Sequence, residues 1–139
     1  FSRANHQSYE GLKLLLGPLG KLNRNADVEY PPRILMVHAM APGPGVPERK
    51  SEEDSFLQNV YDLFRERYYP EEELPDIADA DAEHMPCVIS YDDSLARYSQ
   101  LKDVVTRLCG EGFLRLAESL REYGAPAEDD DSGQADGRA

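Results

Sequence analysis

Three features of the sequence predict an α/β fold built on a parallel strand pair. Arg33 to Met40 is apolar on both faces, as a central strand covered on each side must be. A long amphipathic pattern follows, from about Glu52 to Tyr69, and predicts a helix. After it comes a second short β-branched and apolar run, Cys87 to Tyr91. Strand, crossover helix and strand in this order make a βαβ unit, whose strands lie parallel and whose crossover is right-handed. A chain of 139 residues is long enough for one domain with one core, and 40% hydrophobic residues with ten Gly and ten Pro leave room for long loops or tails.

The elements follow in chain order. Ser8 is read as the cap of a short helix on which Leu12, Leu15, Leu16, Leu19 and Leu22 share a face, interrupted at Gly17-Pro18 because proline lacks an N–H and clashes with the preceding turn. Residues 1–32 are therefore expected to form an N-terminal helical arm, and Leu12 and Leu16 are its candidate docking residues. After the first strand, the Pro and Gly density of Ala41 to Pro47 permits neither helix nor strand. Ser51-Glu52-Glu53-Asp54 reads as a capping box at the start of the long helix. That helix should bury Phe56, Leu57, Val60, Phe64 and Tyr68, with Tyr61 and Leu63 flanking, and end at Pro70. Asp92-Asp93-Ser94 reads as a turn, Leu95 to Tyr98 as a third strand, and residues 99–109 fit helix or strand alike. Phe113, Leu116, Ala117 and Leu120 mark a last amphipathic helix that stops at Gly124. The domain thus spans 33–124, with a tail over 125–139 whose composition is that of a disordered segment.

The net charge is −12, and it is concentrated. The loop 70–86 holds seven acids (Glu71, Glu72, Glu73, Asp76, Asp79, Asp81, Glu83) and no Lys or Arg. The tail adds Glu128, Asp129, Asp130, Asp131 and Asp136 against Arg138, which leaves the remainder of the chain nearly neutral. Phosphate binding needs clustered Lys and Arg, whereas the 15 bases here are scattered, so direct nucleic-acid binding is disfavoured. Partners with basic surfaces are expected instead, facing Glu71, Glu72, Glu73, Asp79 and Asp81 in the loop and Glu128 to Asp131 in the tail. The longest uncharged run, Ile34 to Pro47, is too short to span a bilayer and ends in Pro and Gly, so any membrane association is expected to be peripheral.

Several residues are weighed for chemistry. Cys87 behind Pro86 is the candidate redox thiol; the competing reading is a small core residue, because no Lys, Arg or second Cys lies nearby in sequence to lower its pKa. Cys109 falls on an apolar helical face. Asp79, Asp81, Glu83 and His84 have the composition of a metal site but the spacing of no calcium loop, and are read as a solvated acidic loop. No metal and no cofactor are expected. His38 on the apolar strand is read as a hydrogen-bonded core histidine. Pro42-Gly43-Pro44-Gly45 has prolines where a phosphate cradle needs N–H donors.

The order α, β, α, β, (β), α, with Pro86 just ahead of the Cys87 strand, resembles the thioredoxin-like fold over roughly residues 33–123. That resemblance implies a three-layer domain and puts Pro86 where that fold keeps a cis-proline. The chain departs from the redox family at Ala41 to Lys50, where the Cys-x-x-Cys motif is missing. It is similar to the group containing the small thioredoxin-like accessory subunit of mitochondrial NADH–ubiquinone reductase and two mitochondrial ribosomal proteins, in which a Pro/Gly/Ser loop replaces the motif and the domain acts by docking. Leu95-Ala96-Arg97-Tyr98 is similar to a stretch of that subunit, whereas the ribosomal members would be basic. A Phe1-Ser2 start also looks like those left by presequence cleavage.

The resemblance implies a non-catalytic accessory subunit of a large mitochondrial complex on the matrix side of the inner membrane. A respiratory-chain complex, NADH–ubiquinone reductase first, is the expected host, with ATP synthase and the mitochondrial ribosome as further hosts. The alternatives are a thioredoxin-like redox enzyme using Cys87, and a soluble acidic chaperone or regulatory protein.

Overall fold

A computed structural model of the chain describes residues 5–91 and 111–124. The element order is α1 (His6–Asn23), β1 (Val37–Ala41), α2 (Arg49–Arg67), a 3-10 turn (Glu71–Glu73), β2 (Cys87–Ser90) and α3 (Glu111–Gly124). The expected third strand, the helix-or-strand segment 99–109, Cys109 and the acidic tail lie outside the described residues.

Mixed α/β architecture with a parallel pair is what the structure shows. β1 and β2 pair in parallel, with Val37 opposite Cys87 and Ala39 opposite Ile89. The register slips between Ala39 and Ala41, at Met40, whose φ of 59° is a left-handed conformation that costs a non-glycine residue energy. The slip lets Ala41 pair with Ser90 and accept the Tyr91 N–H at 2.8 Å. Strand alternation puts Val37 and Cys87 on one face and His38 on the other. Cys87 meets Ser119 of α3 and His38 stacks on Phe56 of α2, so the two faces of the sheet meet different helices. The strand itself is shorter than expected, since Ile34, Leu35 and Met36 precede it.

The core is made by Leu16, Met36, Phe56, Val60, Phe64 and Tyr68. Phe56, Val60 and Phe64 recur at helical spacing and are fully enclosed, as the sequence predicts, while Leu57, Tyr61 and Leu63 are half-buried beside them. The start of α2 differs from expectation. Ser51 lies inside the helix, which begins at Arg49 behind Glu48, a residue with helical backbone and no side-chain cap. Arg49 reaches back to the Pro42 carbonyl and across to Ser90 Oγ at 3.1 Å, so a tertiary tie holds this end in place of the expected capping box.

α1 also departs from the sequence reading. Asn5, not Ser8, is its cap: the Asn5 side chain accepts the Ser8 N–H at 2.8 Å. The helix continues through Pro18 over 18 residues. Leu16 is completely enclosed by this chain's own core and Leu12 and Leu19 pack against it, whereas Leu15 and Leu22 are exposed. Thus the segment expected as a docking arm covers α2, and Leu16 offers no surface to a partner. Gly20 permits the closest approach, since a Cβ there would lie 3.0 Å from the Arg67 carbonyl oxygen. At the crossing, Arg24 donates to the Tyr68 carbonyl at 2.6 Å and Asn23 donates to the Tyr68 hydroxyl at 2.8 Å. Arg24 therefore supplies a donor and a positive charge to the carbonyl end of α2. No peptide bond among the described residues is cis, so Pro86 does not carry the isomer that the fold resemblance implies.

Candidate functional site

The acidic loop is built on a fixed frame. Pro70 ends α2, and Glu71–Glu73 form a single 3-10 turn with all three side chains exposed. Beyond it the chain is latched at two points. Tyr61 donates its hydroxyl to the Pro75 carbonyl at 3.0 Å. His84, fully buried, has Nε2 at 3.1 Å from the Ile77 carbonyl and Nδ1 at 2.9 Å from the Tyr69 hydroxyl. A carbonyl only accepts, so the proton of the neutral ring belongs on Nε2, and Tyr69 donates to Nδ1. The same tyrosine oxygen accepts the His84 backbone N–H at 3.1 Å. Burial pushes the Tyr69 hydroxyl up to about 12; the bond from the His84 N–H opposes this, while the nearby carboxylates Glu83 and Asp79 reinforce it.

Two carboxylates shape the turns between these latches. Asp76 accepts the Ala78 N–H at 2.8 Å and Asp79 accepts the Asp81 N–H at 3.0 Å, each closing a short Asx turn. A cleft of about 700 Å³ opens between this loop and the carbonyl ends of α1 and α2, lined by Arg24, Tyr69, Glu73, Asp79, Asp81 and Glu83. Its potential is negative, from four carboxylates and two helix C-termini, and Arg24 is engaged with Tyr68.

The structure thus brings Glu73, Asp79 and Asp81 to one cleft, with Glu71 and Glu72 exposed on the adjoining turn. Glu128 to Asp131 lie outside the described residues. His84 does not join the acids, because its ring is spent on Tyr69 and Ile77; among the described residues no group of three or more His, Cys, Asp or Glu is arranged to hold a metal ion. Cys87 carries a free thiol, half-buried, with Sγ 3.6 Å from Ser119 Oγ.

His38 corrects the sequence reading. It is 1% exposed, yet among the described residues neither ring nitrogen has a hydrogen-bond partner. Its ring lies flat on Phe56, with centroids 3.9 Å apart and planes at 3°. The nearest acid, Glu52, stands 3.8 Å from Nε2. Burial holds the His38 pKa below its ordinary value, against the pull of Glu52 and Glu53 and with the help of Arg49.

The sequence reading missed Tyr61, Tyr69 and His84 as the anchors of the loop. The available signal was a tyrosine at each end of the last helical turns followed by a histidine, but nothing in spacing alone pairs residues 15 positions apart across an irregular loop. Comparison of the chain with protein-family models, with curated proteins and with solved structures gave no match. Among the described residues no helix is long and apolar enough to cross a membrane.

Proposed function

We propose that the chain is a non-catalytic accessory subunit that docks to a basic surface of a larger assembly. One observation carries this reading: the acidic loop is not a loose string of charges but a shaped one, pinned by Tyr61 and by the Tyr69–His84 pair, so that Glu71, Glu72, Glu73, Asp79 and Asp81 stand exposed on a fixed frame. Charges held in place lose little entropy on binding, and complementary charge fixes orientation and speeds encounter. The host we favour is a mitochondrial respiratory-chain complex, NADH–ubiquinone reductase before ATP synthase or the mitochondrial ribosome, and the finer fold we favour is thioredoxin-like. Both rest on the resemblance of pattern, and the parallel β1–α2–β2 unit is compatible with it.

Native-gel separation of gently solubilised mitochondria, with mass spectrometry following peptides of this chain, tests the proposal. Co-migration with a large complex that is lost at high salt, and lost in a Glu71→Lys, Glu72→Lys, Glu73→Lys variant that still folds, is the expected result. Migration near 15.6 kDa would overturn it and favour an independent soluble role.

A further inference from the structure

His38 is the buried titratable group that the docking surface does not use. A neutral imidazole has one donor and one acceptor, and here neither is met by a hydrogen-bonding group of the described residues. The ring lies on Phe56 with Glu52 of the first turns of α2 beside it, and the register partner of His38 on β2 is Val88. Tyr9 of α1 closes on Phe56 at 6.0 Å. Among the described residues three charged groups act on it, all from α2. Glu52 is 3.8 Å away, beyond a hydrogen bond, and its side chain is 38% exposed. Glu53 is engaged with Arg49 at 2.7 Å, and Arg49 in turn ties the β1–α2 loop to β2 through Pro42 and Ser90. From β2, the register partner Val88 carries no charge.

We propose that His38 is a proton-operated latch on the β1–α2 contact: neutral, the ring is an apolar plate clamped on Phe56, and protonated, it loosens the first turns of α2 and the loop that Arg49 ties to β2. An imidazolium carries two N–H donors. Glu52 can be drawn in to satisfy one of them; the other stays unpaired, and Arg49 repels the new charge. Phe56 and the α2 start must then move to let water or a carboxylate reach the ring. The open form takes up a proton at the ordinary histidine value of 6.5, whereas the closed form resists it, so acidification favours opening.

The experiment is amide hydrogen exchange on the full chain, corrected for intrinsic rates, at about pH 7.5 and about pH 5.5, following peptides from β1 and from the first half of α2. Opening there should increase at the lower pH by up to about tenfold, the factor by which an unshifted imidazole binds its proton one pH unit below its pKa. His38→Leu should abolish the increase, and Glu52→Gln, which removes the group that favours the imidazolium, should enlarge it. Opening that is independent of pH, or an acid-driven increase that persists in His38→Leu, would overturn the latch. Should His38→Leu fail to fold, Glu52→Gln decides alone, and an unchanged acid response overturns the proposal.

Discussion

The Tyr69 hydroxyl serves His84 twice, standing 2.9 Å from its ring Nδ1 and accepting its backbone N–H at 3.1 Å. One oxygen thereby closes the acidic loop onto the end of α2. Tyr69→Phe removes it and leaves two polar groups of a buried residue without a partner, which costs about 1–3 kcal/mol. Urea unfolding of the variant should show that loss. Exchange of the backbone amides in 76–85 should rise more than exchange in α1.

The same tyrosine sets an alkaline limit. Its pKa rises from 10.0 to about 12 on folding, so its contribution is complete below 10.0 and is lost as pH climbs from there through about 12. Stability measured across that window should fall in the wild type, and by less in Tyr69→Phe.

Glycines separate by their surroundings. A Cβ at Gly112 would lie 2.5 Å from the Val88 carbonyl oxygen, so Gly112→Ala must push α3 off β2, at about 1–3 kcal/mol for overpacking. Gly11, exposed inside α1, meets nothing beyond its own chain neighbours and helix backbone within 4 Å of its Cβ position, and Gly11→Ala should stabilise by up to about 1 kcal/mol through helix propensity. Thermal melts of the two variants should move in opposite directions.

The start of α1 offers a sharper comparison. Asn5→Ala should cost about 1 kcal/mol as the loss of a helix cap, whereas Ser8→Ala, which keeps the backbone N–H that Asn5 accepts, should cost far less. Equal losses would assign the cap to neither.

Cys87 decides between docking and redox chemistry. In a Cys109→Ser background, alkylation of native Cys87 at neutral pH should be slow and should accelerate on unfolding, as for a half-buried thiol facing Ser119. Rapid alkylation of the folded chain would favour the alternative, a thioredoxin-like redox enzyme using Cys87.

Much of this architecture was legible. The α2 face was, because Phe56, Val60 and Phe64 recur at helical spacing with charges between them, and the parallel pair was, because two largely apolar runs, Arg33 to Met40 and Cys87 to Tyr91, flank one crossover helix. Helix starts were misread where a more distant group supplied the tie: Asn5 ahead of Ser8, and Arg49 with Ser90 in place of Ser51. Leu16 looked like a docking residue because sequence spacing shows a leucine stripe and not what covers it. The loop anchors were hidden for a related reason. His84 lies among acids in sequence, yet its ring turns inward to Tyr69 and the Ile77 carbonyl, and only the folded path of 70–86 brings them together.

The contact between α1 and α2 carries a consequence for biogenesis. Asn23 and Arg24 bond to Tyr68 across separations of 45 and 44 residues, and Leu16 is buried in one cluster with Phe56, Val60, Phe64 and Tyr68 of the later α2 segment. A leucine-rich helix that leaves the ribosome ahead of α2 must therefore wait, at about 5–20 residues per second, for some seconds before its cover arrives. During that interval its leucines are open to any holding chaperone.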